Sequence, residues 1–599
     1  MATASKASGT HNKKRNLRRT HLLELGAALL IIVFANIISN YFFGRIDLTA
    51  EKRYTLSPAT KSLLKAVDEP VLFRVYLEGD FPSDYQRLQH ETRDMLNQFR
   101  AYNRNIEYEF VNPNAYEDPK EQRAFYDKLA QKGIQPSYIQ VKKADGVTQQ
   151  IIIPAADVIY KGNETSIQLL TNQAYVANDI ALNNSIQNLE YVLSNAIRGL
   201  SRVFKPHIGF LTGHGELERG SIYDIQLSLL ENYRVENVPL TEDINVLTGR
   251  VRNADSTVSL INKFDLLIVP KPQQPFTDQE LFILDQFVMY GGKILWLIDP
   301  LNADLDSLAD QGQTIATRLP LNLDEMLFAY GVRVNPNLIM DIRCRPIPMN
   351  VGYVGDKPQI DFRPWLYFPD IIPLSKHPIV RNLDIIKTDF VSGIDLIEND
   401  ITKTILLASS EYSRVKNAPV IIDLNETKTD IQQMDRRLFN KQHIPVSVLL
   451  EGTFRSMWRN RLAPSFTQIP EMGYKTESEP TKMIVISDGD IIKNRFNYKE
   501  NSSYPLGYDY YTNTMYANKQ FLLNCIDYLT GEEDILNTRS RDISLRKLNV
   551  IKAHEWRKRC QWFNVLLPVV LILCIAPIVA LCRRRRYVAR NKQTNGYRK

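Results

Sequence analysis

The sequence predicts an α/β protein, and three features of its 599 residues predict it. Two long apolar runs stand near the two ends. Between them, short apolar runs alternate with amphipathic stretches at helical spacing. That rhythm belongs to a parallel sheet covered on both faces by helices. Residues 44–561 are also too many for one hydrophobic core, so two or more domains are expected.

The C-terminal run, Trp562 to Cys582, contains no charged side chain and is long enough for a helix to cross a bilayer. Pro568 and Pro577 are tolerable there. Arg583 to Arg586 follow at once, which places that end in the cytoplasm. A buried helix of a soluble core would leave the arginine run unexplained. The N-terminal run, Leu22 to Phe43, is interrupted only by Glu24, Asn36, Ser39 and Asn40. Lys6, Lys13, Lys14, Arg15, Arg18 and Arg19 precede it without an acidic residue. A cleaved signal peptide is the alternative, but the run is long for one and no small-x-small site closes it. The expected topology is therefore two transmembrane helices (22–43 and 562–582) flanking a large extracytoplasmic region. Basic tails 1–21 and 583–599 then lie in the cytoplasm. Arg557-Lys558-Arg559 work against this orientation, and the larger positive count beyond the helix outweighs them.

The formal net charge is +7. The first 20 residues contribute +6 and residues 583–599 contribute +8, so the remainder nets −7. The basic character belongs to the membrane flanks, and nucleic acid is not implied. Of five cysteines, Cys574 and Cys582 lie in the apolar run and Cys560 at its edge. Cys344 and Cys525 remain for the outer region, where pairing is open. There is no CxxC motif and no zinc-ligand spacing.

Residues 44–175 read as a first domain. Val71–Leu77 is a strand, Pro82–Tyr102 a helix, Ile106–Val111 a strand and Pro119–Lys132 a second helix. Hairpins follow, one around Asp145-Gly146 and one around Gly162-Asn163. This order resembles a thioredoxin-like domain. Redox chemistry would need cysteines after the first strand, where Glu78-Gly-Asp-Phe-Pro82 stands instead. Residues 176–204 read as a linking helix with Leu189, Val192, Leu193, Ile197 and Leu200 on its apolar side.

Residues 205–545 read as the main domain, followed by a juxtamembrane segment at 546–561. Strands are expected at Ile208–Leu211, Val235–Leu240, Phe264–Val269 and Lys293–Asp299, and helices at Ser221–Tyr233 and Thr277–Tyr290, with Thr277 as N-cap. Ligands on such sheets sit at the carboxyl ends of the strands. Those ends are Thr212-Gly213-His214-Gly215-Glu216, Pro270-Lys271 and Asp299-Pro300. The candidate ligand or partner rim is Thr212, Gly213, His214, Gly215, Glu216 and Asp299. Gly215 to Gly220 has the outer spacing of a P-loop, but Ser221 stands where lysine is required and Glu216 and Glu218 repel phosphate. His214-x-Glu216 is half a deaminase zinc motif without its P-C-x-x-C. The plainer reading is a tight turn with a locally bonded His214, and an Asp299 that caps the next turn. No cofactor and no metal is expected.

The strand order is similar to class I amidotransferase-like, flavodoxin-like folds. Their nucleophilic cysteine elbow is replaced here by Leu297-Ile-Asp299-Pro-Leu301, and a carboxylate cannot do thiolate acyl chemistry. Further on, Leu323–Tyr330 is expected as a helix and Val332–Met340 as a strand. Residues 343–380, rich in proline and aromatics, are expected as a long extended loop. Val446–Phe454 and Lys482–Asp490 return to the sheet, and Asn518–Leu529 is the last helix of the domain.

Lys205-Pro-His-Ile-Gly-Phe-Leu-Thr-Gly-His-Gly-Glu216, the Phe264–Pro270 and Gly291–Pro300 strands, Met483–Asp490 with Asn524–Leu529, and Arg53-Tyr-Thr-Leu-Ser-Pro58 together resemble the extracytoplasmic auxiliary proteins of ABC transporters. Among these the chain is most similar to the gliding-motility-associated GldG type. The resemblance covers most of the chain and rests on order and architecture, not on a catalytic motif. It implies a bacterial inner-membrane protein, multi-pass, with its main domain in the periplasm. It also implies a non-enzymatic, substrate-binding-like role beside a permease subunit and an ATPase subunit, with no residue here that names a ligand. An envelope scaffold and an envelope hydrolase are the rival readings.

Overall fold

The computed structural model describes residues 25–31, 33–34, 55–531 apart from short internal stretches (the longest being 171–177, 253–257 and 427–435), and 550–595. The chain falls into two compact units, residues 1–542 and 543–599.

The first domain opens with α1 (Pro58–Ala66), capped by Ser57, whose hydroxyl accepts from the Thr60 amide. Strand β1 (Val71–Val75) alternates buried and half-buried residues, as a strand with one face on a core must. Helix α2 (Ser83–Tyr102) crosses to β2 (Ile106–Phe110), parallel to β1. After α3 (Pro119–Gln131) the hairpin β3 (Ser137–Lys143) and β4 (Gly146–Ile152) pairs only with itself. Strands β5 (Ala155–Tyr160) and β6 (Asn163–Gln168) complete a sheet of order β2-β1-β5-β6. Their turn is Lys161-Gly162, both at positive φ, one residue earlier than expected. Two successive left-handed residues match the twist of a two-residue hairpin.

Helix α4 (Asn178–Ser201) is not a free link. Leu182, Ile186, Leu189, Leu193 and Ile197 are buried in one cluster with Val71, Phe73 and Val75 of β1 and Leu88, Leu96 and Phe99 of α2. It is a wall of the first domain, because its apolar stripe needs a partner.

The main sheet has seven strands: β7 (His207–Thr212), β8 (Arg234–Pro239), β9 (Leu266–Pro270), β10 (Ile294–Leu297), β11 (Thr402–Ala408), β12 (Pro445–Gly452) and β13 (Thr481–Ile486). Their order is β11-β12-β13-β10-β9-β7-β8. From β8 to β13 neighbours are parallel, and β12 runs antiparallel to both its neighbours, β13 and β11. The sheet is thus mixed, with an antiparallel flank that the sequence reading did not anticipate. Every residue of β9 and of β10 is buried, which is why both read as unbroken apolar runs. One face packs on α5 (Tyr223–Leu229) and α8 (Asn518–Leu529) through Ile225, Leu229, Phe521 and Leu522. The other packs on α6 (Asp278–Met289) and α7 (Asp324–Tyr330) through Leu284, Phe287, Met326 and Tyr330. Helix α5 is shorter than expected, and a hairpin of Thr248–Arg252 with Val258–Asn262 was not foreseen.

The proline-rich segment expected as a loop is a long antiparallel ribbon, Cys344–Val354 against Lys357–Ile371. Its prolines sit without breaking it, since along most of its length each strand has an outward side where a missing N–H costs nothing; only Asp370 and Ile371 gain a third strand, Ile386–Lys387. Trp365, Leu366, Tyr367 and Phe368 at its base are buried in a core of their own. Cys344 and Cys525 are both free thiols. Cys525 is on the buried face of α8, inside the core, and burial pushes the Cys344 thiol up to about 12.

In the second unit, α9 (Val550–Asn595) is one continuous helix. Gln561–Cys582 within it has mean hydropathy 3.0 and is wholly exposed. Among the described residues it is the one helix long and apolar enough to cross a membrane. Most of the N-terminal run 22–43, the whole of the basic tail 1–21 and residues 596–599 fall outside the described residues. The part of that run described, 25–31 with 33 and 34, is helical and exposed.

Candidate functional site

The predicted rim separates into two groups with different work. The turn after β7 needs its glycines: Gly213 has φ +122 and Gly215 φ +72, where a side chain is strained. Between them His214 is buried and stacks on Phe276 at 4.0 Å. Its Nε2 lies 3.1 Å from Glu280 Oε2, and its Nδ1 lies 3.5 Å from Glu216 Oε1. The His214 amide donates to Glu216 Oε2 at 2.7 Å, and its carbonyl accepts from the amides of Gln273 and Gln274. Thr212 closes β7 with its carbonyl accepting from Leu240.

Glu280 has a second task. It is the N3 residue of a capping box on α6: the Thr277 hydroxyl accepts from the Glu280 amide, and the Glu280 carboxylate accepts from the Thr277 amide. His214 therefore latches the β7 turn to the start of α6. Burial works against the imidazolium, but Glu216 and Glu280 outweigh it and hold the His214 pKa above its ordinary value. Burial likewise works against the charged form of Glu280, and the Thr277 amide together with His214 overcomes it, so its carboxyl sits below the ordinary range.

Asp299 belongs elsewhere. It does not cap the turn at Pro300. Its Oδ1 accepts from the Gly489 amide, and its Oδ2 lies 3.1 Å from Lys271 Nζ. Lys271 also pairs with Asp490. This buried cluster joins the carboxyl ends of β9, β10 and β13. Lys271 adopts φ 58, a left-handed conformation that costs a side chain about 1 kcal/mol. Gly489 is required beside it, because an added Cβ would come within 2.6 Å of Lys271 Cγ. Asp488 is fully buried: its Oδ2 accepts from the Asp389 amide at 3.0 Å and its Oδ1 from the Asp490 amide at 2.9 Å.

Burial pushes the Asp299 carboxyl up to about 6, with Lys271 opposing and Asp490 assisting. Burial and the neighbouring Asp299 and Asp490 carry Asp488 well above the carboxylate range. For Lys271, burial is overcome by Asp299 and Asp490, and its pKa rises. Among the described residues, no hydrogen bond or ion pair connects this cluster to His214 or Glu216.

Beside the cluster opens a cavity of about 270 Å³. Asp490 is shared between the two, and Arg345, Lys387, Asp389 and Asp509 contribute further charges to its wall. Tyr508, Tyr510 and Tyr511 also line it. Sequence reasoning passed over Lys271, Asp488 and Asp490 as site residues. Their signal was positional: Lys271 and Asp490 each follow an apolar strand at its carboxyl end. Arg345 and Lys387 had no such signal, since they reach the cavity from the ribbon and from the segment after it. Among the described residues, no group of three or more His, Cys, Asp or Glu side chains is arranged to hold a metal. The site is one of paired charges and aromatic walls, suited to binding.

Residues 205–525, more than half of the chain, match the model of a family described as an ABC-type uncharacterized transport system (ABC_transp_aux). Residues 50–159 match a domain of unknown function, DUF7088. An uncharacterized protein of Borreliella burgdorferi is 20% identical over 570 residues, spanning 94% of this chain and 97% of that one. Among solved structures, the mmIFT52 N-terminal domain is 13% identical with a TM-score of 0.29, covering 54% of this chain and 97% of that domain. A likeness of that size carries no argument about fold or role.

Proposed function

The chain belongs to the family of the ABC-type uncharacterized transport system, and from that premise we propose that it is the membrane-anchored, extracytoplasmic, substrate-binding-like auxiliary component of an ABC transporter complex. The family match over the whole sheet domain is the observation that carries the reading. The apolar helix Gln561–Cys582 supports anchorage. Arg583–Arg586 support a cytoplasmic C-terminus, and the basic, acid-free residues before Leu22 support a second anchor. Two anchors would hold the outer domains at fixed height and orientation over a membrane partner.

The sequence carries no Walker A lysine motif. Energy for transport must then come from a separate ATPase, and the path from a permease subunit. We read the first domain as thioredoxin-like without redox function and the second as amidotransferase-like without its nucleophile. The latch role of His214 and Glu216 supports a non-enzymatic reading, since their carboxylate and imidazole groups are engaged with each other and with a helix cap. Gliding motility is the process that the GldG-type resemblance suggests. Affinity purification of the tagged chain from membranes of its native host tests the reading. A permease and an ATPase in the eluate support it. An eluate of envelope structural proteins alone points to a scaffold.

A further inference from the structure

The charges around the cavity do not all cancel. Arg345 is buried, pairs with Asp389, faces Asp509 at 3.9 Å and lies over the Phe368 ring at 4.4 Å. Lys271 pairs with Asp299 and Asp490, and Lys493 pairs with Asp490 as well. Lys387 is different. Its backbone is fixed by Asn518 at the start of α8, whose side chain accepts from the Lys387 amide at 3.0 Å and donates to its carbonyl at 2.9 Å. Its ammonium has no hydrogen bond or ion pair among the described residues. The charges that act on it are those of Arg345, Asp509, Asp488 and Asp490, and three of these four line the cavity. Lys387 itself lines the cavity.

At the mouth, Tyr504, Tyr508, Tyr510 and Tyr511 form a run of ring contacts at 5.7 to 5.8 Å. Arg495 lies over Tyr510 at 4.6 Å, with no carboxylate partner among the described residues. The carboxylates left over, Asp304 and Asp306, are exposed. Water screens them, so they discriminate weakly. Lys387 is half-buried, with Asp509, Asp488 and Asp490 near enough to act on it but none paired with it, so its ammonium can take an incoming carboxylate through a charge-assisted hydrogen bond.

We propose that this cavity binds the carboxylate of a small organic acid, with Lys387 as counter-ion and the tyrosine lip against the acid's ring or chain. The inference rests on the substrate-binding reading given above and names the substrate class for it. Burial and Arg345 bring the Lys387 pKa down to about 8. Arg345 and Asp370 face it from the ribbon, Asp488 and Asp490 from the loop after β13, and Asp509 from the hairpin of Tyr508–Asp509 with Thr514–Met515. The ammonium is the form that binds an anion, so affinity falls as pH rises through about 8.

The test is calorimetric titration of the full-length chain in detergent with benzoate, benzyl alcohol, benzylamine and inorganic phosphate. Benzoate should bind at one site and the neutral and cationic probes at least tenfold more weakly. Lys387→Gln should lower benzoate affinity by about 10- to 100-fold, the weight of a charged hydrogen bond, while leaving the melting profile in place. Tyr510→Ala, on the exposed lip, should weaken benzoate without touching the charge preference. No benzoate binding, benzylamine binding as tightly, or binding indifferent to Lys387→Gln overturns the proposal. Phosphate binding as tightly as benzoate contradicts the part played by the lip. Lys387→Gln should still co-purify with the transporter. Failure of the unaltered chain to co-purify sinks the transport reading and leaves the cavity result standing.

Discussion

Lys271 Nζ lies 3.1 Å from Asp299 Oδ2, with the two side chains 9% and 7% exposed. A pair this deep is weak evidence of net stabilisation, because desolvation offsets most of the attraction. Removing one partner is another matter. Lys271→Ala leaves Asp299 buried without a cation and Asp490 with Lys493 alone, 3.6 Å away, and should lower unfolding free energy by about 3–5 kcal/mol. Asp299→Ala in the same background should cost much less than it does alone. Urea denaturation of the four variants measures the coupling, and strict additivity would remove the pair from the account.

The same cluster makes stability depend on pH. The Asp299 carboxyl is raised to about 6 in the folded state, and so is that of Asp370. An unfolded aspartate titrates at about 3.9. Between these values the folded chain binds more protons than the unfolded one, so stability falls as pH rises from about 4 to about 6. Urea midpoints at steps across that window should show the decline, with a shallower slope in Asp299→Asn.

His214 contributes with a different window. Its folded pKa is raised above the unfolded value of about 6.5. Its contribution is then fully present below 6.5 and is lost as pH rises through the folded pKa. His214→Gln should flatten that segment of the stability profile and loosen the start of α6, read as faster amide exchange at Glu280. An unchanged profile contradicts the latch. No loss of catalytic turnover is expected in this variant.

Asp285 is fully buried in α6, and burial raises its pKa. Its carboxylate accepts from Tyr330 (2.9 Å), Ser456 (2.6 Å), the Met457 amide (3.1 Å) and Gln286 (3.0 Å). It therefore pins α6 to α7 and to the loop after β12. Asp285→Ala strands these donors and should cost about 3 kcal/mol or more at a typical 1–3 kcal/mol for each unsatisfied group. A midpoint shift equivalent to less than 1 kcal/mol would show that the donors find other partners.

Much of this was legible in the chain. Phe264–Val269 and Lys293–Asp299 announced buried parallel strands by apolar composition alone, and Thr277 announced the N-cap of α6, though not the capping box that Glu280 completes. What escaped depended on contacts distant in sequence. Asp285 looks like an isolated polar residue in an apolar helix, and only Ser456 and Met457 explain it. The ribbon read as a loop because its prolines hide the strand pattern, and apart from Asp370 and Ile371, which pair with Lys387 and Ile386, its pairing is made with itself. The antiparallel flank of the sheet follows from a chain path that no local pattern encodes. The residues named for the rim do stand at the strand ends, but spacing could not tell that His214 turns toward α6 while Asp299 turns toward Lys271.

The central claim is that this chain works beside a permease and an ATPase. Its most direct test is affinity purification of the tagged chain from solubilised native membranes, followed by mass spectrometry of the eluate. The account predicts both transporter subunits in stoichiometric amount, retained when Lys387 or His214 is substituted. An eluate holding neither subunit, from membranes in which both are expressed, would contradict it.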